Sequence, residues 1–233
     1  MSSRLRRLLR AVPGAGATQR FLRERLLAGL LRRRRFVTYY AANYWRGEES
    51  RSGRGSSLVQ TQALRQALPD LLRTLGVRSL LDVPCGDFHW MKRVPLDGIA
   101  YTGADIVPAL VADLRARHGG TGRRFMLLDL VATTPPPADL LLCRDLLVHL
   151  SFAEIEPVLR NIRRSGATWL LTTTFPNRPS NQELLGCDWR PLNLQAPPFG
   201  FPPPLRLIDE RCSEDGGQYA DKSLGLWRVA DLP

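Results

Sequence analysis

The run SLLDVPCGD at residues 79–87 leaves this chain the fewest ways to fold. Leu80, Leu81 and Val83 read as a short buried strand. Pro84 cannot continue a central strand, because it has no N–H to donate to the ladder. Gly86 admits a backbone conformation that a Cβ resists. Beyond it, Phe88, Trp90, Met91 and Val94 are expected on one face of a helix. Strand, glycine turn and helix form the first half of a βαβ unit. Such a turn holds ligands at the carboxyl end of its strand, beside the helix N-terminus.

The pattern of an apolar run closed by an acid recurs along the chain. Residues 99–105 form a second strand-like run ending in Asp105, 19 positions after Gly86. An acid at that spacing suits hydrogen bonding to ribose hydroxyls. Residues 124–129 are a third run, ending in Asp129, and residues 139–145 a fourth, ending in Asp145. Carboxylates at successive strand ends after a glycine turn describe a nucleoside pocket.

These motifs resemble those of class I S-adenosylmethionine-dependent methyltransferases. The resemblance rests on LDVPCGD at 81–87, Asp105, Asp129 and residues 139–150, where LVHL at 147–150 resembles the segment after the family's fourth strand. It covers about residues 56–230. SGRGSS at 52–57, TTTFP at 172–176 and WRPLN at 189–193 look like a bacterial branch of the family. Pro84 and Phe88 stand where the usual loop has glycine. The resemblance implies a Rossmann-like, seven-stranded, mostly parallel sheet with helices on both faces and an antiparallel last strand. It implies S-adenosylmethionine as cofactor and a cytoplasmic enzyme. Asp82 would orient the loop and the methionine ammonium, and Pro84, Cys85 and Gly86 would carry the close approach. Asp105 and Ile106 would hold the ribose end. Asp129 and Leu130 would meet the adenine. Arg144 is counted with this set, and an anionic substrate or a structural carboxylate pair are its other readings.

The 233 residues and 44% hydrophobic content suit one α/β domain with extensions. No apolar run approaches the roughly 18–20 residues of a membrane span. Four cysteines (85, 143, 187, 212) and three histidines (89, 118, 149) have no metal-ligand spacing, so no metal is expected. Cys85 and Cys143 read as buried thiols in a reducing compartment. The net charge of +11 is concentrated. Residues 1–35 hold eleven Arg and one acid, Glu24, and the other 198 residues hold 22 Lys plus Arg against 21 acids.

Three regions are therefore expected. Residues 1–35 are a basic arm with helices at 4–12 and 20–34. It would adsorb to an anionic membrane surface, bind nucleic-acid phosphates without reading sequence, or pack on the body with its arginines solvated. Residues 36–56 are an aromatic and polar linker, read as either a lid or a strap. Residues 57–233 are the domain, with helices at 58–75, 107–117 and 152–164 and a fifth strand at 168–174. Ser151 and Glu154 form a capping box for the last of these helices. A proline-rich insertion at 176–204 reads as a substrate-facing loop carrying Trp189, Arg190, Asn193 and Phe199, or else as a structural flap. Strands at 205–208 and 223–229 close the chain.

Methyl transfer from a sulfonium needs alignment and water exclusion more than activation. Asp145 and His149, four apart, would share a helical face, and the carboxylate would raise the imidazole pKa. The pair would remove a hydroxyl proton, or His149 would only pack. The fourth strand lacks the Asn/Asp-Pro-Pro-aromatic pattern of many amino-group methyltransferases. The nearly neutral body argues against a specific nucleic-acid groove. Both favour O-methylation of a small-molecule or glycan-like acceptor. A non-catalytic adaptor with a degenerate cofactor fold, and a nicotinamide-dependent oxidoreductase lacking the full GxGxxG loop, are the other classes.

Overall fold

The structure, a computed structural model, describes residues 16–184 and 188–233. Among these, seven strands form one sheet: β1 Ser79–Asp82, β2 Ala100–Asp105, β3 Arg123–Leu127, β4 Leu140–Cys143, β5 Trp169–Thr174, β6 Arg206–Asp209 and β7 Ser223–Arg228. Their order is β3-β2-β1-β4-β5-β7-β6. β7 runs antiparallel to both β5 and β6, and the other neighbouring pairs are parallel. This is the expected Rossmann-like α/β sheet. The strand order reverses between β1 and β4, and a crevice opens there at the carboxyl ends.

The strands are apolar on both faces because both faces are covered. Leu80, Leu140 and Leu142 enter one core with Leu64, Leu68, Leu71 and Leu72 of α2 (Gln62–Thr74) and Leu110, Val111 and Leu114 of α3 (Pro108–His118). Leu81, Leu141 and Cys143 point the other way. They pack with Ile155, Val158 and Ile162 of α4 (Phe152–Arg164). The Ser151 hydroxyl accepts from the Glu154 N–H, and the Glu154 carboxylate accepts from the Ser151 N–H, so the capping box forms. α2 begins four residues later than expected. The Ser57 hydroxyl accepts instead from the Gln60 N–H in a preceding turn.

Two expectations need correction. No α-helix forms between Gly86 and β2. Gly86 and Phe88 both have left-handed φ, 53° and 58°, which a right-handed helix excludes. A single 3₁₀ turn at Met91–Arg93 then leads toward β2. Phe88 fills the core from this loop, with its ring 5.1 Å from Tyr101 and 5.2 Å from Phe125.

The second correction concerns the arm. α1 (Gly16–Ala41) crosses the boundary expected at 35/36, so Phe36, Tyr39 and Tyr40 of the expected linker are helical. Phe36, Val37 and Tyr40 pack against the first core, and Arg32 is buried. The helix expected at 4–12 lies outside the described residues.

Candidate functional site

A cleft lies over the carboxyl ends of β1, β2 and β4. Asp82, Pro84, Cys85, Gly86, Asp105, Ile106, Arg144, Asp145 and His149 all line it. Gly86 is needed there twice over. Its φ is left-handed, and a Cβ would stand 2.3 Å from the Ser52 hydroxyl. Asp87 carries the same contact from the other side. Its N–H donates to Ser52 Oγ at 3.0 Å, and its carboxylate accepts from Ser50 Oγ and the Arg51 N–H. The polar loop at 47–57 is thereby tied onto the glycine turn, and Trp45, Ser52 and Ser56 become cleft walls.

Two acids in the cleft are buried. Asp82 Oδ2 accepts from the Tyr101 hydroxyl at 2.7 Å, and burial pushes the carboxyl up to about 7. Asp105 accepts from the N–H groups of Val107 (3.0 Å) and Gly86 (3.2 Å), and burial pushes it up to about 6. Burial also raises the Cys85 thiol. A carboxylate short of positive partners is poised to accept a cation or hydroxyl donors.

The floor toward β5 holds a charge cluster that sequence reasoning missed. Arg144 donates to both Glu210 oxygens, at 3.2 and 2.6 Å, and to the Gly55 carbonyl at 2.8 Å. Lys222 Nζ lies 2.7 Å from Asp145 and 3.7 Å from Glu210. Arg144 thus follows its carboxylate-pair reading. Charged residues abutting the apolar runs of β6 and β7 were the available signal. Burial would raise the Asp145 carboxyl, but Lys222 and Arg144 outweigh it and hold the group well below its ordinary value. Such a carboxylate is a fixed charge and a poor proton acceptor, against the expectation for Asp145.

His149 sits in a 3₁₀ turn, Leu147–His149, rather than on an α-helical face. Its Nδ1 lies 2.6 Å from the Asp188 carbonyl oxygen. A carbonyl only accepts, so Nδ1 carries the proton and the neutral ring has its lone pair on Nε2. Asp188 is itself held, since its carboxylate accepts from the hydroxyls of Tyr39 and Tyr44. The rings of Phe36 and Trp45 pack on the imidazole at 6.2 and 5.6 Å. Burial lowers the His149 pKa below 6.5, and the Asp188 carbonyl and Asp145 oppose it without reversing it. The expected upward shift is therefore reversed.

A second cavity adjoins the cleft and shares Trp45, Ser52, Asp145 and His149 with it. Trp189 lines this cavity, its ring 4.7 Å from Tyr219 and 5.7 Å from Phe175. The other three residues expected to meet substrate do not line it. Arg190 is buried and donates to the carbonyls of Leu147 (2.9 Å), Leu150 (2.6 Å) and Gln182 (3.1 Å). Asn193 donates to the carbonyls of Pro176 and Arg178 and accepts from the Gln195 N–H. Phe199 packs on Phe152 in the second core. An irregular segment must satisfy its own buried carbonyls, and these polar side chains do so.

Asp129 and Leu130 lie off the main cleft, in a small recess that shares Phe36, Pro84, Asp105, Ile106 and Leu146 with it. The Asp129 carboxylate is engaged by Arg32 of α1 at 2.6 Å, and the same guanidinium reaches Glu154 at 2.9 Å. That occupancy departs from the adenine role expected for Asp129. No local pattern marked Arg32 among its arginine neighbours.

No protein-family model and no curated protein matches the chain. Solved structures do. The pyocyanin biosynthetic protein PhzM is 16% identical with a TM-score of 0.51, over 71% of this chain and 54% of that one. Magnesium protoporphyrin IX methyltransferase from Synechocystis PCC 6803, solved with bound SAH, is 18% identical with a TM-score of 0.42, over 52% of this chain and 58% of that one. The methyltransferase domain of bacterial CtHen1 is 12% identical with a TM-score of 0.44, over 49% and 66%. The chain thus spans between about half and two thirds of these proteins. Its strand order, its antiparallel β7 and the likeness to PhzM agree: the chain has the Rossmann-like fold of class I methyltransferases.

Proposed function

We propose that the protein transfers a methyl group from S-adenosylmethionine to a hydroxyl of a small-molecule or glycan-like acceptor. The observation that carries this reading is the junction of two cavities at His149, whose Nδ1–H is committed to Asp188. The cleft fits the cofactor on its donor set. Asp82 has one carboxylate oxygen uncommitted among the described residues and would take the methionine ammonium. Asp105, at the β2 end, would accept from the ribose hydroxyls, and Gly86 leaves room for the close approach. The recess at Ile106 and Leu130 would take the adenine edge, with Asp129 held at its rim by Arg32.

When bound, the cofactor supplies an activated methyl group whose leaving sulfide is neutral. The chain must then align and dry the site. Trp45, Phe36 and Tyr40 wall the cleft against water. His149 Nε2 would remove the acceptor hydroxyl proton, which its lowered pKa keeps possible at neutral pH. Tyr39 and Tyr44 act as positioning residues through Asp188. Trp189, Tyr219 and Trp45 offer aromatic faces to the acceptor.

Calorimetry with S-adenosylmethionine and with NAD tests the cofactor, followed by a labelled-methyl screen against a metabolite extract. Cofactor binding and a labelled, base-stable product are expected. Binding of NAD instead would assign an oxidoreductase, and binding of neither would assign an adaptor.

A further inference from the structure

We infer that the outer face of α1 docks on an anionic lipid bilayer, lying along it. Leu27, Leu30 and Leu31 are 54%, 56% and 57% exposed. They are spaced i, i+3, i+4, which places them on one side of the helix. Arg34 continues that side, and Arg33 and Arg34 are both exposed. The orientation is fixed by the opposite side. There Arg32, 6% exposed, is paired with Asp129 and Glu154, and Phe36 and Tyr40 pack on the core. The leucines cannot turn inward without exposing that guanidinium and leaving two carboxylates unpaired.

Charge selects the occupant. Residues 1–35 carry eleven arginines and one acid. A second copy on this face would bring two such arms together, and like charges repel. Nucleic acid offers phosphates but no apolar depth for three leucines. A bilayer with anionic headgroups offers both, as interfacial arginine- and leucine-bearing helices require. No described helix is long and apolar enough to cross a membrane. The docking does not depend on the methyl-transfer reading.

Flotation of the full chain with vesicles of phosphatidylcholine containing about 30% phosphatidylserine tests this, with pure phosphatidylcholine as control. Partitioning at least roughly tenfold stronger on the anionic vesicles is expected. It should fall by a similar factor in the triple variant Leu27→Ser, Leu30→Ser, Leu31→Ser, and separately in Arg33→Glu with Arg34→Glu, which leaves the leucines intact. Equal flotation on both vesicles, or undiminished flotation of both variants, overturns the proposal. So does a stable dimer in sedimentation that the serine variant dissolves, since the face would then belong to a second copy. Binding of single-stranded RNA without vesicle binding would assign the charge to nucleic acid and also overturn it.

Discussion

The strand half of the site region, at the cleft, and its loop half, residues 176–204, are built by opposite means. On the β1–β2 side, the polar residues end regular strands and line the cleft: Asp82 and Asp105 are buried, Asp82 keeps one oxygen uncommitted among the described residues, and Asp105 accepts from the loop N–H groups of Gly86 and Val107. On the side of the 176–204 segment, the polar residues serve the backbone. Arg190 and Asn193 direct their hydrogen bonds to carbonyls of Leu147, Leu150, Pro176 and Arg178. A strand satisfies its own backbone through the ladder, which leaves the Asp82 carboxylate at its end with an oxygen to offer a ligand. A segment without a ladder has to recruit side chains for the same task. His149 stands between the two halves, lining both cavities.

The sharpest break would come at that junction. His149→Ala should lower single-turnover methyl transfer by about 10²–10⁴-fold while leaving S-adenosylmethionine affinity nearly unchanged. In the parent, activity should rise with pH and level off, with a midpoint below 6.5, because burial lowers the imidazole pKa and only the neutral ring accepts a proton. A variant with the parent's rate and pH profile would leave His149 a packing residue.

The loop half should answer in stability rather than in affinity. Arg190→Met removes a buried guanidinium from carbonyls of Leu147, Leu150 and Gln182. A loss of about 3 kcal/mol in unfolding free energy is expected, read as a lowered denaturation midpoint. A stable variant with weakened acceptor binding would reverse the comparison and restore Arg190 to the substrate site.

On the strand half the signs exchange. Asp105→Ala should weaken cofactor binding by roughly 1–3 kcal/mol in calorimetry, the worth of hydrogen bonds to a charged acceptor. Unchanged affinity in a folded variant would remove Asp105 from the ribose.

The smallest effect is a pH dependence. Asp82 is raised to about 7 by burial, and a bound ammonium would favour its ionised form. Binding below pH 7 should therefore release a proton. Affinity should fall as pH drops, by up to about 1.4 kcal/mol for the unit below 7. Calorimetry in buffers of different ionisation enthalpy reads the released proton directly. A pH-independent affinity with no proton release would take the ammonium away from Asp82.

Short-range chemistry was legible in the amino-acid order alone. Apolar runs at Leu80–Leu81 and Leu140–Leu142 read as short buried strands, and they are. The acids ending β1 and β2 could be placed at the cleft because an acid that closes an apolar run sits at the carboxyl end of its strand. Ser151 and Glu154 announced α4 because both capping partners lie within one turn. The loop after Gly86 was misread as a helix because spacing alone does not report that Phe88 adopts a left-handed φ. Which charges meet was left to the folded chain. Arg32 finds Asp129 across 97 residues, and Lys222 finds Asp145 across 77. His149 takes its tautomer from a carbonyl 39 residues away. Periodicity and caps are properties of neighbouring residues, whereas a buried charge is settled by whichever partner the fold delivers. That is why the strand-end residues that line the cleft could be read from the chain, and the partners of Asp129, Asp145 and Arg190 could not.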